Sequence, residues 1–302
     1  MHNPDGEGHM KPFPGAGFRK IKRVKKNLIN ILIIVFLLAG ASLLLYPAVS
    51  QHISARQSAR RVADYYVAYK DLGDDKKEDL LAQADSYNAR LAGIPQNFNG
   101  QTQEDYDSIL DITGTGIMGY ITINKIGVEL PIYHGVDAGV LQIGIGHLKE
   151  TSLPVGGEST HSVLSGHRGL PGARLFTDLD KMEIGDEFSI TVLDRVLYYR
   201  VDQIKVVLPT EVNDLLIEEG EDYCTLVTCT PYGINTHRLL VRGVRTRVDD
   251  GYKQPAVYVP NEALKIDPTI VATVIAVPMF VVVIIVSMVL NRKRDKGHAN
   301  KK

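Results

Sequence analysis

The sequence predicts a mainly β domain, an antiparallel barrel or sandwich, carried between two membrane-spanning helices. Two long apolar runs without charge lie near the two ends of the 302-residue chain. Basic residues cluster beside both runs. Between them, from residue 116 to residue 248, short apolar segments typical of strands are separated by Gly, Pro, Asn and Asp.

The two apolar runs cover residues 28–49 and 269–290, 22 residues each. At about 1.5 Å per residue each would span roughly 33 Å, enough for the hydrocarbon core of a bilayer. Pro278 is tolerable there because neighbouring helices can satisfy the freed carbonyl. The first run could instead be a cleavable signal peptide ending near Ala48-Val49-Ser50, but its length favours an uncleaved anchor.

The distribution of charge predicts the topology. Residues 1–27 carry seven Lys or Arg against two acidic residues, and residues 291–302 carry six against one. Under the positive-inside rule both basic tails lie in the cytoplasm, and residues 50–268 lie outside the membrane. This outer part is acidic overall, which argues against a nucleic-acid partner.

The composition and spacing of residues divide the outer part into four segments. Apolar residues at helical spacing predict a helical hairpin, broken at Gly73-Asp74-Asp75, a stretch that could cap the second helix. A polar loop, the strand-rich domain and a Pro-containing stalk follow. Within the strand-rich domain, one helical pattern interrupts at residues 211–217. The boundaries of the four segments are 50–93, 94–115, 116–248 and 249–268.

The two cysteines are predicted to be separate free thiols. Cys224 and Cys229 lie five residues apart on one strand, so their Cα atoms would be roughly 16 Å apart and their side chains on opposite faces. A disulfide requires less than about 7 Å. Cys224 is expected to pack as a small hydrophobe, whereas Cys229 stands at the strand end before Pro231 and is the better nucleophile candidate.

A reactive thiol needs a basic or positively charged neighbour. An eight-residue turn leads from Cys229 to Arg238, so a hairpin would place that guanidinium near the thiol, where it could steady an oxyanion. The alternative is an ordinary salt-bridged edge arginine. His167 stands at another strand end, and His237 is a local rival.

The remaining histidines of the strand region are expected to be structural, and no metal site is predicted. His134, His147 and His161 each stand alone beside a glycine or a strand edge. CxxC, HExxH and acidic metal-loop patterns do not occur in the sequence, so neither a metal nor another cofactor is expected.

Two segments carry a family resemblance. Thr225-Leu226-Val227-Thr228-Cys229 resembles the Thr-Leu-x-Thr-Cys signature of sortases, and Ser165-Gly166-His167-Arg168-Gly169 resembles the segment with their histidine. Residues 132–182 and 226–243, with the two flanking spans, are similar to class C, pilus-assembly sortases. The resemblance covers roughly residues 50–290.

The resemblance implies an eight-stranded closed barrel and a cysteine transpeptidase of a Gram-positive bacterium, at the cell membrane. By position, Cys229 matches the nucleophile, His167 the acid/base histidine and Arg238 the arginine that steadies substrate and oxyanion. The enzyme would cut a Leu-Pro-x-Thr-Gly signal of a pilin between Thr and Gly, and would join it to a lysine of another pilin. The alternatives are a sortase that anchors proteins to peptidoglycan and a non-catalytic adhesin or receptor ectodomain.

The chain departs from the class C pattern in one place. Many members carry an Asp-Pro-aromatic motif in a lid over the site, whereas the corresponding stretch here is Ile94-Pro95-Gln96-Asn97-Phe98, with no Asp before the Pro. Pro95, Phe98 and Tyr106 are the lid candidates, and the sequence predicts a loosely held lid or none.

Overall fold

The computed structural model describes residues 16–93 and 106–246, together with Phe280 and Ile284. The chain forms two compact units, Met1–Tyr46 with Pro268–Lys302, and Pro47–Asp267. Several predictions concern residues outside the described ones. They are the stalk at 249–268, the basic tail at 291–302, the lid candidates Pro95 and Phe98, and the second span at 269–290 except for Phe280 and Ile284.

The first apolar run lies within one long helix. Helix α1 (Ala16–Asp71) has 56 residues and contains Pro47. Its Val35–Asp71 part is long and apolar enough to cross a membrane, a test that a signal sequence near the N-terminus also passes. Phe36 and Leu44 are each 80% exposed, as expected for side chains that face lipid rather than a protein core.

The break predicted after this helix is present, and the cap comes from the predicted stretch. Helix α2 (Asp74–Leu91) begins after Gly73, which occupies the N-cap position without a side-chain hydrogen bond. Asp74 and Asp75 instead lie in the first turn, where a negative charge is favourable near the positive end of the helix dipole. Leu80, Leu81 and Ala84 on one face of α2 are buried in the main core.

Eight strands form the closed barrel. Their order around it is β1-β2-β3-β4-β7-β8-β6-β5, and β5 pairs with β1 to close it. The β2–β3 and β4–β7 pairs are parallel and the other pairs antiparallel. The strands are β1 (Ile117–Ile123), β2 (Val128–His134), β3 (Ile145–His147), β4 (Thr160–Ser165), β5 (Glu187–Val192), β6 (Arg195–Val207), β7 (Asp222–Thr230) and β8 (His237–Arg245).

Alternation along the strands separates an inner and an outer apolar cluster. Cys224 and Leu226 of β7 belong to the main core inside the barrel, together with Leu164 and Val241. A second cluster on the outer face, here called the outer cluster, is formed by one buried residue from each of four strands. Its buried members are Val163, Val207, Val227 and Leu240. The closed barrel decides between the two architectures that the strand pattern allowed, but the prediction that all its pairs are antiparallel is wrong, because two of the eight are parallel.

The helix predicted at 211–217 is wrong. Only Asn213–Leu215 forms a single 3-10 turn there. Leu215 packs against the outer cluster, and the Leu216 carbonyl accepts a hydrogen bond from His161 Nδ1 at 2.8 Å, so tertiary contacts determine the conformation of this connection. Two short elements escaped the sequence analysis, helix α3 (Ala138–Ile143) and the three-residue strand β3.

Candidate active site

Cys229 lies one residue before the end of β7 and is partly exposed. Strand β7 has β4 on one side, in parallel, and β8 on the other, antiparallel. Pro231 follows directly after the strand and cannot donate a ladder hydrogen bond. The thiol is therefore fixed by a central strand and yet stands at an open end of the barrel.

The register of β4 against β7 extends to Gly166, the residue before His167. Ser165 is opposite Val227, the Gly166 amide donates to the Val227 carbonyl at 3.0 Å, and the Thr228 hydroxyl donates to the Gly166 carbonyl at 2.8 Å. If the same register continued for two residues beyond Ser165, it would bring His167 opposite Cys229. Adjacent strands are about 4.8 Å apart, a separation that the two side chains can bridge.

Arg238 stands directly opposite Cys229 on the other side. The β7–β8 pairing matches Cys229 with Arg238, so the hairpin inferred from the sequence is confirmed. Arg238 Nη1 donates to the Asn235 carbonyl at 3.2 Å and to the His237 carbonyl at 3.0 Å, which ties the guanidinium to the turn. Strands β7 and β8 thus place Cys229 beside Arg238, and a continued β4 register would add His167 to the same row.

This row continues the outer face of the barrel. Val227 and Leu240 pair with each other two residues before the Cys229–Arg238 pair, and both belong to the outer cluster. Because side chains alternate along a strand, Cys229 and Arg238 lie on that same face. The thiol therefore lies on the same side of the sheet as the outer cluster, beyond the point where Leu148 and Leu215 pack against that cluster.

Cys224 is excluded from this chemistry by its position. It is fully buried inside the barrel, it forms no disulfide, and burial raises the pKa of its thiol well above the ordinary value. A thiol held protonated is a poor nucleophile. The separation of the two cysteines into a packing residue and an accessible one is confirmed.

Three histidines are structural, as predicted. His134, His147 and His161 are buried, and each ring is hydrogen-bonded through both nitrogens. Complete burial lowers the pKa of His147 to about 4, so the ring is neutral at physiological pH. The local rival, His237, pairs with Thr230 rather than with Cys229, which by alternation places it on the other face of β8.

Tyr106, the one described lid candidate, occupies a packing position. It is 4% exposed and belongs to the main core. Its hydroxyl lies 2.8 Å from His147 Nδ1 and accepts from the Gly135 amide at 3.1 Å, and its ring contacts that of Tyr87 on α2. These contacts fasten the segment that follows residues 94–105 to the barrel wall. The lid prediction therefore concerns Pro95 and Phe98.

The sequence analysis missed the tight packing around Gly166. A Cβ on this residue would lie 2.7 Å from both Ile145 Cδ1 and Phe176 Cδ2, so only glycine allows the end of β4 to approach that closely. The available signal was the glycine directly before the candidate histidine. Among the described residues no group of three or more His, Cys, Asp or Glu could hold a metal ion.

Fold and site together define a protein with a strand-end thiol beside a guanidinium, and with His167 in the loop that follows the neighbouring strand β4. A thiol, an imidazole and a permanent cation are the side chains that an enzyme with a cysteine nucleophile uses.

Comparison with known proteins identifies the family. The Sortase family, described as a sortase domain, matches residues 121–246. Sortase D of Bacillus subtilis is 30% identical over 130 residues, which are 42% of this chain. The match spans 63% of that relative's length, less than two thirds of it.

Similar solved structures lie in class C. The crystal structure of sortase C1 from Streptococcus agalactiae is 49% identical, with a TM-score of 0.59, and the match covers 63% of this chain and all of that one. A Clostridium perfringens sortase C, solved with the C-terminal cell wall sorting motif, is 44% identical, with a TM-score of 0.55 and coverage of 63% and 99%. The chain belongs to the sortase family of cysteine transpeptidases, and its structural neighbours are class C sortases.

Proposed function

We propose that the protein is a membrane-anchored transpeptidase that cleaves Leu-Pro-x-Thr-Gly-like sorting signals between Thr and Gly and joins the product to a lysine of another pilin subunit. The observation that carries this proposal is the pairing of Cys229 with Arg238 on β7 and β8, with His167 two residues beyond the end of β4, the strand on the other side of β7. A thiol between a proton donor and a fixed cation suits acyl transfer better than simple binding.

Each residue of the row has one role in the proposed reaction. The Cys229 thiolate attacks the Thr carbonyl carbon, and the Arg238 guanidinium stabilises the negative oxygen that forms. His167 then gives its proton to the amine of the leaving Gly, and a thioester to Cys229 remains. A lysine amine attacks the thioester and loses a proton to His167, and the isopeptide forms as the thiolate is released.

Similarity to class C sortases supports pilin as the substrate. The S. agalactiae sortase C1 is 49% identical, and the C. perfringens sortase C was solved with a cell wall sorting motif. Anchoring to a peptidoglycan amine uses the same first step and differs only in the acceptor.

The acceptor decides between these two functions. The full-length chain in detergent would be incubated with a Leu-Pro-x-Thr-Gly peptide and, in parallel, with a lysine-bearing pilin domain or a peptidoglycan-precursor amine. We expect a crosslinked product with the pilin lysine, identified by mass spectrometry, and little with the precursor. Transfer to the precursor alone would establish the anchoring function. Cleavage of the peptide without transfer to either acceptor would contradict both transfer reactions.

The proposal includes two cytoplasmic tails, an extracellular barrel and a polar loop that forms a loosely held lid or none. The long apolar helix and the basic residues at both ends support this topology. The lid is testable by deleting residues 94–105, which leaves the Tyr106 packing intact. If the loop occludes the thiol, Cys229 should be alkylated faster in the deletion variant, whereas equal rates would mean that no lid covers it.

A further inference from the structure

Arg168 directly follows the proposed acid/base histidine and contacts a loop on the other side of the site. Its guanidinium forms an ion pair with Asp180 and lies over the ring of Tyr232, 5.7 Å from the ring centroid. Only 10% of the Arg168 side chain is exposed, although both partners are at the surface. A long cationic side chain is thus held in place between two loops.

The two loops adjoin the reacting side chains. The first follows β4 and begins with His167, and the second joins β7 to β8 and lies between Cys229 and Arg238. Tyr232 belongs to the second loop. Contact between the loops is close, because a Cβ on Gly169 would lie 3.1 Å from Tyr232 Cε2. Gly169 also has a φ of +79°, a conformation that favours glycine.

His167 needs such a contact because the strand ladder ends before it. Strand β4 stops at Ser165, and the last bonds to β7 are made by Gly166. Beyond them, the His167 carbonyl accepts from the Phe176 amide at 3.1 Å, which holds the backbone on one side only. The position of the imidazole relative to the thiol therefore depends on how the two loops are held together.

We propose that Arg168, Asp180 and Tyr232 form a clamp between the two loops, and that Arg168 is a positioning residue that keeps His167 aligned with Cys229. The planar guanidinium is suited to this because it pairs with a carboxylate and packs flat on an aromatic ring at the same time. The inference rests on the proposed function only where its test measures peptide cleavage.

Tyr232→Ala is the most direct test, because Tyr232 is 60% exposed and its removal leaves the core intact. In the full-length chain in detergent, we expect kcat for peptide cleavage to fall about tenfold with KM nearly unchanged, the order of effect of losing one cation–π contact. Ile234→Ala is the matched control, since Ile234 is 68% exposed on the same loop. Tyr232→Phe keeps the ring and should recover most of the lost kcat.

A second readout does not require turnover. The pH profile of Cys229 alkylation by iodoacetamide reports the coupled thiol–imidazole pair, so it should shift in Tyr232→Ala and in Arg168→Lys but not in Ile234→Ala. Arg168→Lys retains the positive charge but lacks the planar guanidinium that packs on Tyr232. Wild-type kcat and an unshifted profile in Tyr232→Ala would overturn the clamp, as would an effect on KM alone. A wild-type chain without any cleavage would contradict the proposed function, and the alkylation profile would still test the clamp.

Discussion

Gly166→Ala is a perturbation of a single methyl group, placed directly before His167. The structure leaves no room for that group. The new Cβ would lie 2.7 Å from Ile145 Cδ1, 2.7 Å from Phe176 Cδ2 and 2.9 Å from Phe176 Cγ. Carbon atoms pack at about 3.5–4.0 Å, so the neighbours would have to move by roughly 1 Å. Phe176 is completely buried, and its ring has little space in which to move.

The expected cost follows from this overlap. Overpacking a buried site costs about 1–3 kcal/mol of the free energy of unfolding. For a compact unit of this size, each kcal/mol lowers Tm by about 2–4 °C. The loss of activity should exceed what the lower stability explains, because the strain is relieved most easily by moving the end of β4, and His167 moves with it.

Thermal unfolding and peptide cleavage would be measured on the same preparations below the Tm. Gly139→Ala is the matched control, since a Cβ on Gly139 meets nothing within 4 Å and the residue lies in helix α3, where Ala is favoured over Gly. We expect the control to keep the wild-type Tm and kcat. A Gly166→Ala variant with wild-type Tm and kcat would refute the close packing at the end of β4.

Three further predictions concern single side chains. Cys224→Ala should keep turnover within about threefold, since Cys224 packs away from the site, and mass mapping after alkylation at neutral pH should find only Cys229 modified. Arg238→Lys should lower kcat by about tenfold or more because the planar fork is lost although the charge stays, and full kcat would contradict the oxyanion role. The pKa of His147 is lowered from 6.5 to about 4. Between these two values His147 takes up a proton in the unfolded state but not in the folded state. The free energy of unfolding should therefore fall by about 3 kcal/mol between pH 6.5 and pH 4. Urea unfolding of His147→Gln should show a smaller fall, and an equal one would contradict this assignment.

Local patterns in the sequence were sufficient for much of the fold and site. Seven of the eight strands coincide with apolar runs punctuated by turn residues, and the short turn after Cys229 is enough to place Arg238 opposite it. The odd spacing of the two cysteines predicts that they face opposite sides of β7, and they do. These features depend on residues that are near one another in the chain.

Features that depend on distant residues were not predictable in the same way. The parallel pairing of β4 with β7, which leads toward His167 and Cys229, joins segments that sequence spacing leaves independent, so the role of the histidine comes from the resemblance. The contact of Tyr106 with His147 and the packing of Leu215 against the outer cluster are also tertiary. In the connection at residues 211–217, the contacts of Leu215 and Leu216 override a local helical pattern.

Intact-mass spectrometry of the full-length chain with a Leu-Pro-x-Thr-Gly peptide tests the central claim most directly. The account predicts that the wild type and Cys224→Ala gain the mass of the acyl fragment, and that Cys229→Ala does not. Digestion should place the added mass on Cys229. An adduct that persists in Cys229→Ala would contradict the assignment of the nucleophile. The absence of any adduct from a wild-type chain whose Cys229 is readily alkylated would contradict thioacyl transfer at this site.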